Sequence, residues 1–259
     1  MSQIVNFPGL GLYFNINRVA FMIGIREVYW YGIIIGLGLM LAVLFCTYES
    51  KRAGLPKDTI TDIAIFAVPI AVVCARLYFV LWEWKDYAGR PADIFNIRLG
   101  GLAIYGGIIG GVATAYIYCR IKKIDVRKVF DVGSLGLLIG QAVGRWGNFM
   151  NVEAYGRETA LPWRMEIYSE ELSKIISVHP TFLYESLWNI AGFTALYIYR
   201  KKKKFEGEIF LLYVAWYGIG RAWIEQLRVD SLPYNAGFKV SQIVAVATAA
   251  VAITLIALG

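Results

Sequence analysis

Apolar residues gather in long runs separated by short polar stretches. An α-helix rises only about 1.5 Å per residue, so about 20 mostly apolar residues cross a bilayer core roughly 30 Å thick. Tyr31 to Tyr48, Ile60 to Trp82, Ile104 to Cys119, Phe182 to Tyr199, Ile209 to Ile224 and Val240 to Leu258 each read as such a span. A seventh run, Val129 to Val143, is shorter and holds Gly133, Gly136 and Gly140. It is either a thin span or one shielded from lipid by its neighbours. The pattern predicts an all-α, polytopic integral membrane protein with seven transmembrane helices.

The polar stretches set the orientation. Residues 49–59, 120–129 and 200–207 hold 3, 5 and 5 basic residues in 29 positions, whereas the opposite faces hold 11 in much longer segments balanced by 11 acids. Loops left in the cytoplasm carry an excess of Lys and Arg. The N-terminus is therefore expected outside and the C-terminus inside, and the net charge of +7 reads as membrane topology. The basic runs are short, sit between spans and lack interleaved aromatics, which argues against a nucleic-acid partner. Residues 1–28 carry no early positive cluster followed by an apolar core and a small-residue cleavage site, so they read as a retained extracytoplasmic arm.

Composition agrees with this class. Of 259 residues 58% are hydrophobic and 17% charged, well below the roughly 25% charged of a soluble domain. A disordered chain, a secreted disulfide scaffold and an ordinary cytosolic globule are all disfavoured. Cys46, Cys74 and Cys119 stand singly in or at the ends of apolar spans and read as small core residues. With no repeat and no low-complexity linker, residues 1–259 read as one membrane-embedded domain with outer loops at about 83–103 and 144–181.

Ionisable groups at membrane depth are costly and ask for a partner, a wet cavity or a function. Tyr29-Trp30-Tyr31-Gly32 opens the first span as an aromatic belt. Arg76 lies near Tyr78 toward the outer end of the second, where snorkelling is the alternative to a functional role. In Gly100-Gly-Leu-Ala-Ile-Tyr105-Gly-Gly the glycines suit close helix packing, while Tyr105 between two glycine pairs could meet a ligand. Gly144-Arg-Trp-Gly-Asn-Phe-Met-Asn-Val-Glu-Ala-Tyr-Gly156 packs Arg145, Asn148, Asn151 and Glu153 into thirteen residues. A guanidinium fork suits phosphate oxygens, and a structural Arg145–Glu153 pair is the alternative. Arg221, Glu225 and Arg228, spaced by four and three, share one helical face.

These residues carry a resemblance over essentially the whole chain. The segment from Gly144 to Gly156, Tyr31-Gly32, Ala75-Arg76, the glycine-tyrosine segment at 100–107, His179-Pro-Thr-x-Leu-Tyr-Glu185 and Arg221-x-x-x-Glu225-x-x-Arg228 together resemble the bacterial prolipoprotein diacylglyceryl transferases. The resemblance implies transfer of the sn-1,2-diacylglyceryl group from phosphatidylglycerol to the lipobox cysteine thiol of a preprolipoprotein, releasing glycerol phosphate. It implies a bacterial cytoplasmic membrane enzyme, its active site toward the outer face, with seven helices and no metal or organic cofactor. Arg145 and Arg221 would hold the phosphate, and Tyr105 would orient phosphate or thiol. Tyr31, Arg76, Asn148, Asn151, Glu153, Gly156, Glu225 and Arg228 would complete the substrate site.

Many members of that family have His where this chain has Tyr105. A phenol, with a pKa of about 10, is a hydrogen-bond donor near neutrality and becomes a base only after strong activation. Glu153 and Glu225 either accept a proton or orient their arginines. His179, just before Pro180, reads as a loop or cap residue. A segment from Arg157 to Val178, with Glu166, Glu170 and Glu171, is a candidate cover over the site. The rival from another class is a transporter, which would show interrupted helices in two related halves, and no such repeat is visible.

Overall fold

The computed structural model describes residues 2–96, 100–169, 172–228 and 240–258. Among them run strands β1 (Ser2–Phe7), β2 (Leu12–Asn17), β3 (Val19–Ile23) and β4 (Arg26–Tyr29), then helices α1 (Trp30–Arg52), α2 (Thr59–Trp82), the single-turn α3 (Trp84–Tyr87), α4 (Ile104–Lys122) and α5 (Val126–Asn151). Strands β5 (Met165–Ser169) and β6 (Lys174–Val178) precede α6 (Thr181–Tyr199), α7 (Glu208–Leu227) and α8 (Val240–Leu258). Each of the seven apolar runs lies in one of the long helices, which measure 19 to 26 residues. By length and composition α1, α2 and α4 are apolar enough to cross a membrane.

The expectation of an all-α chain needs correction at the N-terminal arm. Six strands form a four-stranded antiparallel sheet, in the order β2-β1-β5-β6, and a separate β3–β4 hairpin. The segment expected to cover the site supplies β5 and β6, so Glu166 sits in strand register opposite Asn6 and accepts a hydrogen bond from its side chain at 3.2 Å. Glu170 and Glu171 lie outside the described residues. A second correction concerns the glycine-rich seventh run. It belongs to the longest helix, α5, which continues through Asn151 and takes up the first eight residues of the segment read as an outer loop.

The chain divides into two compact units, Met1–Leu44 with Gly133–Gly259, and Phe45–Val132. In the first, the sheet is half of a small core. Val5, Phe7, Ile16, Met165, Ile167, Ile176 and Val178 close over Phe149 and Val152 from the end of α5 and over Phe182 from the start of α6. Phe149 and Phe182 lie 4.7 Å apart between ring centres, which ties the two helix ends together. Between α6 and α7, Trp188 and Trp216 stack at 4.4 Å and each indole N–H donates to the other's carbonyl, at 3.1 and 3.0 Å. Gly192 and Gly220 make room for them, since a Cβ on either would fall within 2.4 Å of the facing indole. Gly218 plays the same part against α8, where a Cβ would lie 2.5 Å from Ala245 O.

The second unit is built on α2 against α4. A Cβ at Gly106 would meet Cys74 O at 2.4 Å, and one at Gly110 would meet the Cys74 thiol at 2.8 Å, so small residues let the two backbones approach. Cys119 is fully buried and Cys46 donates to Val132 O at 3.3 Å, so both act as core residues.

Candidate active site

Glu185 stands five residues into α6 and is the only charged residue between Thr181 and Tyr199. Its carboxylate pairs with Arg145 Nη2 through Oε2, lies 3.7 Å from Arg221 Nη1 through the same oxygen, and lies 3.7 Å from Arg228 Nη1 through Oε1. A carboxylate whose side chain is 8% exposed would be strongly disfavoured alone, and here three guanidiniums surround it, from α5, from α7 and from the residue that follows α7. The arrangement follows from the packing below it. Trp188, one turn along α6 from Glu185, is locked to Trp216 on α7, and this sets Arg221 opposite Glu185.

Along α7 the expected face holds Arg221 and Glu225, whereas Arg228 lies just past the helix end in extended conformation and reaches the cluster from there. Arg221 Nη2 lies 2.8 Å from Glu225 Oε2, and the side chain of Glu225 is 4% exposed. The cluster therefore sets three arginines against two buried carboxylates, and the arginine side chains keep 13 to 20% of their surface open. An excess of guanidinium donors that is partly accessible suits a phosphate group.

The signature segment feeds the same cluster. Arg145 Nη1 donates to Asn148 Oδ1 at 3.3 Å, and Asn148 Nδ2 donates to Glu153 Oε1 at 2.8 Å. Glu153 is thus linked to Arg145 through Asn148, not directly as the structural alternative supposed. The chain reverses after Asn151 with Val152 at φ 51° and Ala154 at φ 55°. Left-handed geometry is costly for a β-branched residue, of the order of 1–3 kcal/mol, so this turn is held by its surroundings. Glu153 N donates to Asn148 O at 3.1 Å, and Thr181 Oγ1 donates to Ala154 O.

Gly156 explains itself by proximity. It forms a β-bridge with Arg228 and its N–H donates to His179 O at 2.9 Å, while a Cβ would fall 2.6 Å from His179 Cβ and 3.0 Å from Leu227 O. Only a residue without a side chain lets the strand reach the end of α7 and hold Arg228 near Glu185. Tyr31 packs on Gly147, whose Cβ would lie 3.0 Å from the phenol ring. Asn151 closes α5, half-buried, and has no side-chain hydrogen bond among the described residues.

His179 has its loop role. Its Nδ1 lies 3.2 Å from Tyr184 OH, which also accepts a bond from Trp163 Nε1 at 2.8 Å. Burial first, and the Arg157 charge second, hold its pKa below the ordinary value, so the ring is neutral near pH 7. Glu185 is the functional candidate that the sequence reading passed over. Its signal was visible, a lone acid inside an apolar span, but nothing local in the sequence pairs it with arginines 36 and 40 positions away.

Tyr105 and Arg76 belong to the second unit. Tyr105 lies in the first turn of α4, 44% exposed, with its ring 6.5 Å from that of Tyr78. Arg76, expected to snorkel or to meet substrate, is instead 5% exposed and donates to backbone carbonyls of its own unit.

The long apolar helices define a helical membrane protein, and the arginine cluster is its candidate site. Comparison with known proteins narrows the class. The family model described as prolipoprotein diacylglyceryl transferase matches residues 18–258. A Bacillus cytotoxicus protein named phosphatidylglycerol–prolipoprotein diacylglyceryl transferase is 44% identical over 253 residues, covering 95% of this chain and 93% of that protein. Proteins of the same name from Clostridioides difficile and Bacillus anthracis are 46% identical over 216 residues, covering 83% and 85%, and 42% identical over 253 residues, covering 95% and 93%. The chain belongs to the prolipoprotein diacylglyceryl transferase family.

Proposed function

We propose that this protein transfers the sn-1,2-diacylglyceryl group of phosphatidylglycerol to the lipobox cysteine thiol of a preprolipoprotein. The thiol sulfur forms a bond to the terminal glycerol carbon, the bond from that carbon to the phosphate oxygen breaks, and glycerol phosphate leaves. The observation that carries the reading is the convergence of Arg145, Arg221 and Arg228 on Glu185. The relatives' names, phosphatidylglycerol–prolipoprotein diacylglyceryl transferase, match an anionic lipid donor and a protein acceptor.

In this reading Arg145 and Arg221 hold the phosphate and stabilise the charge that grows on it as the carbon–oxygen bond breaks. Arg228 and Glu225 set the position of Arg221, while Asn148, Asn151 and Glu153 shape the site beside Arg145. Tyr31 and Gly156 complete it, and the Tyr105 hydroxyl orients phosphate or thiol. A free thiol has a pKa of about 8.5, and nearby guanidiniums raise its thiolate share without a dedicated base. The chain is proposed to form one membrane-embedded domain of seven spans in a bacterial cytoplasmic membrane. Its N-terminus and active site face outward, its C-terminus inward.

The test uses purified protein in detergent with phosphatidylglycerol and a lipobox peptide, for the parent chain and Arg145→Ala. Glycerol phosphate release coupled to a diacylglyceryl mass gain on the peptide, both lost in the variant, supports the reading. A folded parent protein that binds both substrates and forms no product refutes it.

A further inference from the structure

Arg76 makes an unusual set of contacts. A guanidinium carries five N–H donors. Here Nε donates to Ile94 O at 2.8 Å, Nη1 to Gly100 O at 2.8 Å and Gly101 O at 3.0 Å, and Nη2 to Asp93 O at 2.6 Å and Asn96 O at 3.2 Å. Its Cζ also lies 5.1 Å from the centre of the Tyr87 ring. Every donor therefore has a carbonyl, and the residue is 5% exposed. A phosphate could reach this group only by displacing the backbone it holds.

The carbonyls come from the middle of the connection between α2 and α4 and from its α4 end. Gly100 and Gly101 stand at φ 83° and 79°, a left-handed pair that turns both C=O groups to the same Nη1. That geometry suits glycine, and space enforces it at Gly101, where a Cβ would fall 2.4 Å from Arg76 Nη1 and 2.8 Å from the Phe79 ring. Two residues on, Ala103 N donates to Ala75 O at 3.0 Å, and α4 then begins with Tyr105 in its first turn. Gly106, tight against Cys74, Ala75 and Tyr78, leaves that turn little freedom to shift.

We propose that Arg76 is a positioning residue: its guanidinium clamps the carbonyls of Asp93, Ile94, Asn96, Gly100 and Gly101 and so sets the first turn of α4 and the Tyr105 hydroxyl for transfer. The proposal rests on the function given above for the role of Tyr105, but the clamp is a property of the second unit alone. Lysine is a poor substitute, because one ammonium cannot span the carbonyls of Asp93, Ile94 and Asn96 together with those of Gly100 and Gly101.

Two readouts on the whole protein in detergent separate positioning from phosphate binding. Amide hydrogen exchange in Arg76→Lys is expected to rise at least tenfold at residues 100–105, with α2 and α4 beyond Gly106 unchanged. Turnover is expected to fall at least tenfold, with KM for phosphatidylglycerol within twofold of the parent. In a Tyr105→Phe background the same substitution should cost less than twofold more. Gly101→Ala, which crowds the fork without touching its charge, should reproduce both effects and serves as the second variant if Arg76→Lys does not fold. A raised KM with exchange unchanged would make Arg76 a phosphate ligand and overturn the proposal. Exchange reads the clamp directly, so raised exchange in Arg76→Lys together with a parent protein that transfers nothing would sink the function and leave the clamp standing.

Discussion

Replacing Glu185 by Gln tests whether this carboxylate is the keystone of the site. The substitution keeps the shape and an acceptor oxygen but leaves Arg145, Arg221 and Arg228 without their shared counter-charge. A unit pair at 3.7 Å attracts by about 4 kcal/mol at an effective dielectric of about 20, and two of the three contacts have that separation. Desolvation offsets much of this, so the expected cost is that of removing one partner from a buried pair, about 3–5 kcal/mol. At about 2–4 °C per kcal/mol for a chain of this size, even the lower figure lowers Tm by about 6–12 °C. Thermal unfolding in detergent, followed by tryptophan fluorescence, measures it. The double variant Glu185→Gln/Arg228→Met removes one stranded cation and should recover part of the loss. A single variant within about 2 °C of the parent, with the double variant less stable still, would refute the keystone role.

Gly156→Ala should cost about 1–3 kcal/mol in thermal unfolding and abolish most turnover, because its Cβ would fall 2.6 Å from His179 Cβ and part the bridge to Arg228. Tyr105→Phe should lower turnover at least tenfold without moving Tm, since the ring is 44% exposed; near-full turnover would end the proposed role of the hydroxyl. His179, with a folded pKa below its unfolded value, contributes stability that is complete above about pH 6.5 and lost as pH falls through the folded value. Between pH 7.5 and 5 the parent should therefore lose more Tm than His179→Gln, and parallel curves would contradict the burial argument.

Helix existence was legible because it depends on local composition. Seven apolar runs lie in seven long helices, since a helix satisfies its own backbone and needs no distant partner to do so. The arms were not legible. Strands β1 and β5 are 162 positions apart at the partners Val5 and Ile167 within a chain of 259 residues, and a sheet of that kind exists only through its pairing. The boundary of α5 was misread for a related reason. Arg145 and Asn148 look like loop residues, yet they continue a helix because Glu185 and Glu153 meet their polar groups.

The same division runs through the site. Charge spacing along one helix placed Arg221 with Glu225, and motif order placed Arg145 with Asn148 and Glu153; these are short-range relations that a sequence holds by itself, whereas Arg228 lies past the helix end and is held by its bridge to Gly156. Tertiary structure alone decided which carboxylate the arginines share, why position 156 is Gly, and what the Arg76 fork binds. A guanidinium reads the same in a sequence whether it faces a phosphate or five carbonyls. Only the path of the backbone around it settles which, and that path is fixed by the packing of α2 against α4 and the connection between them.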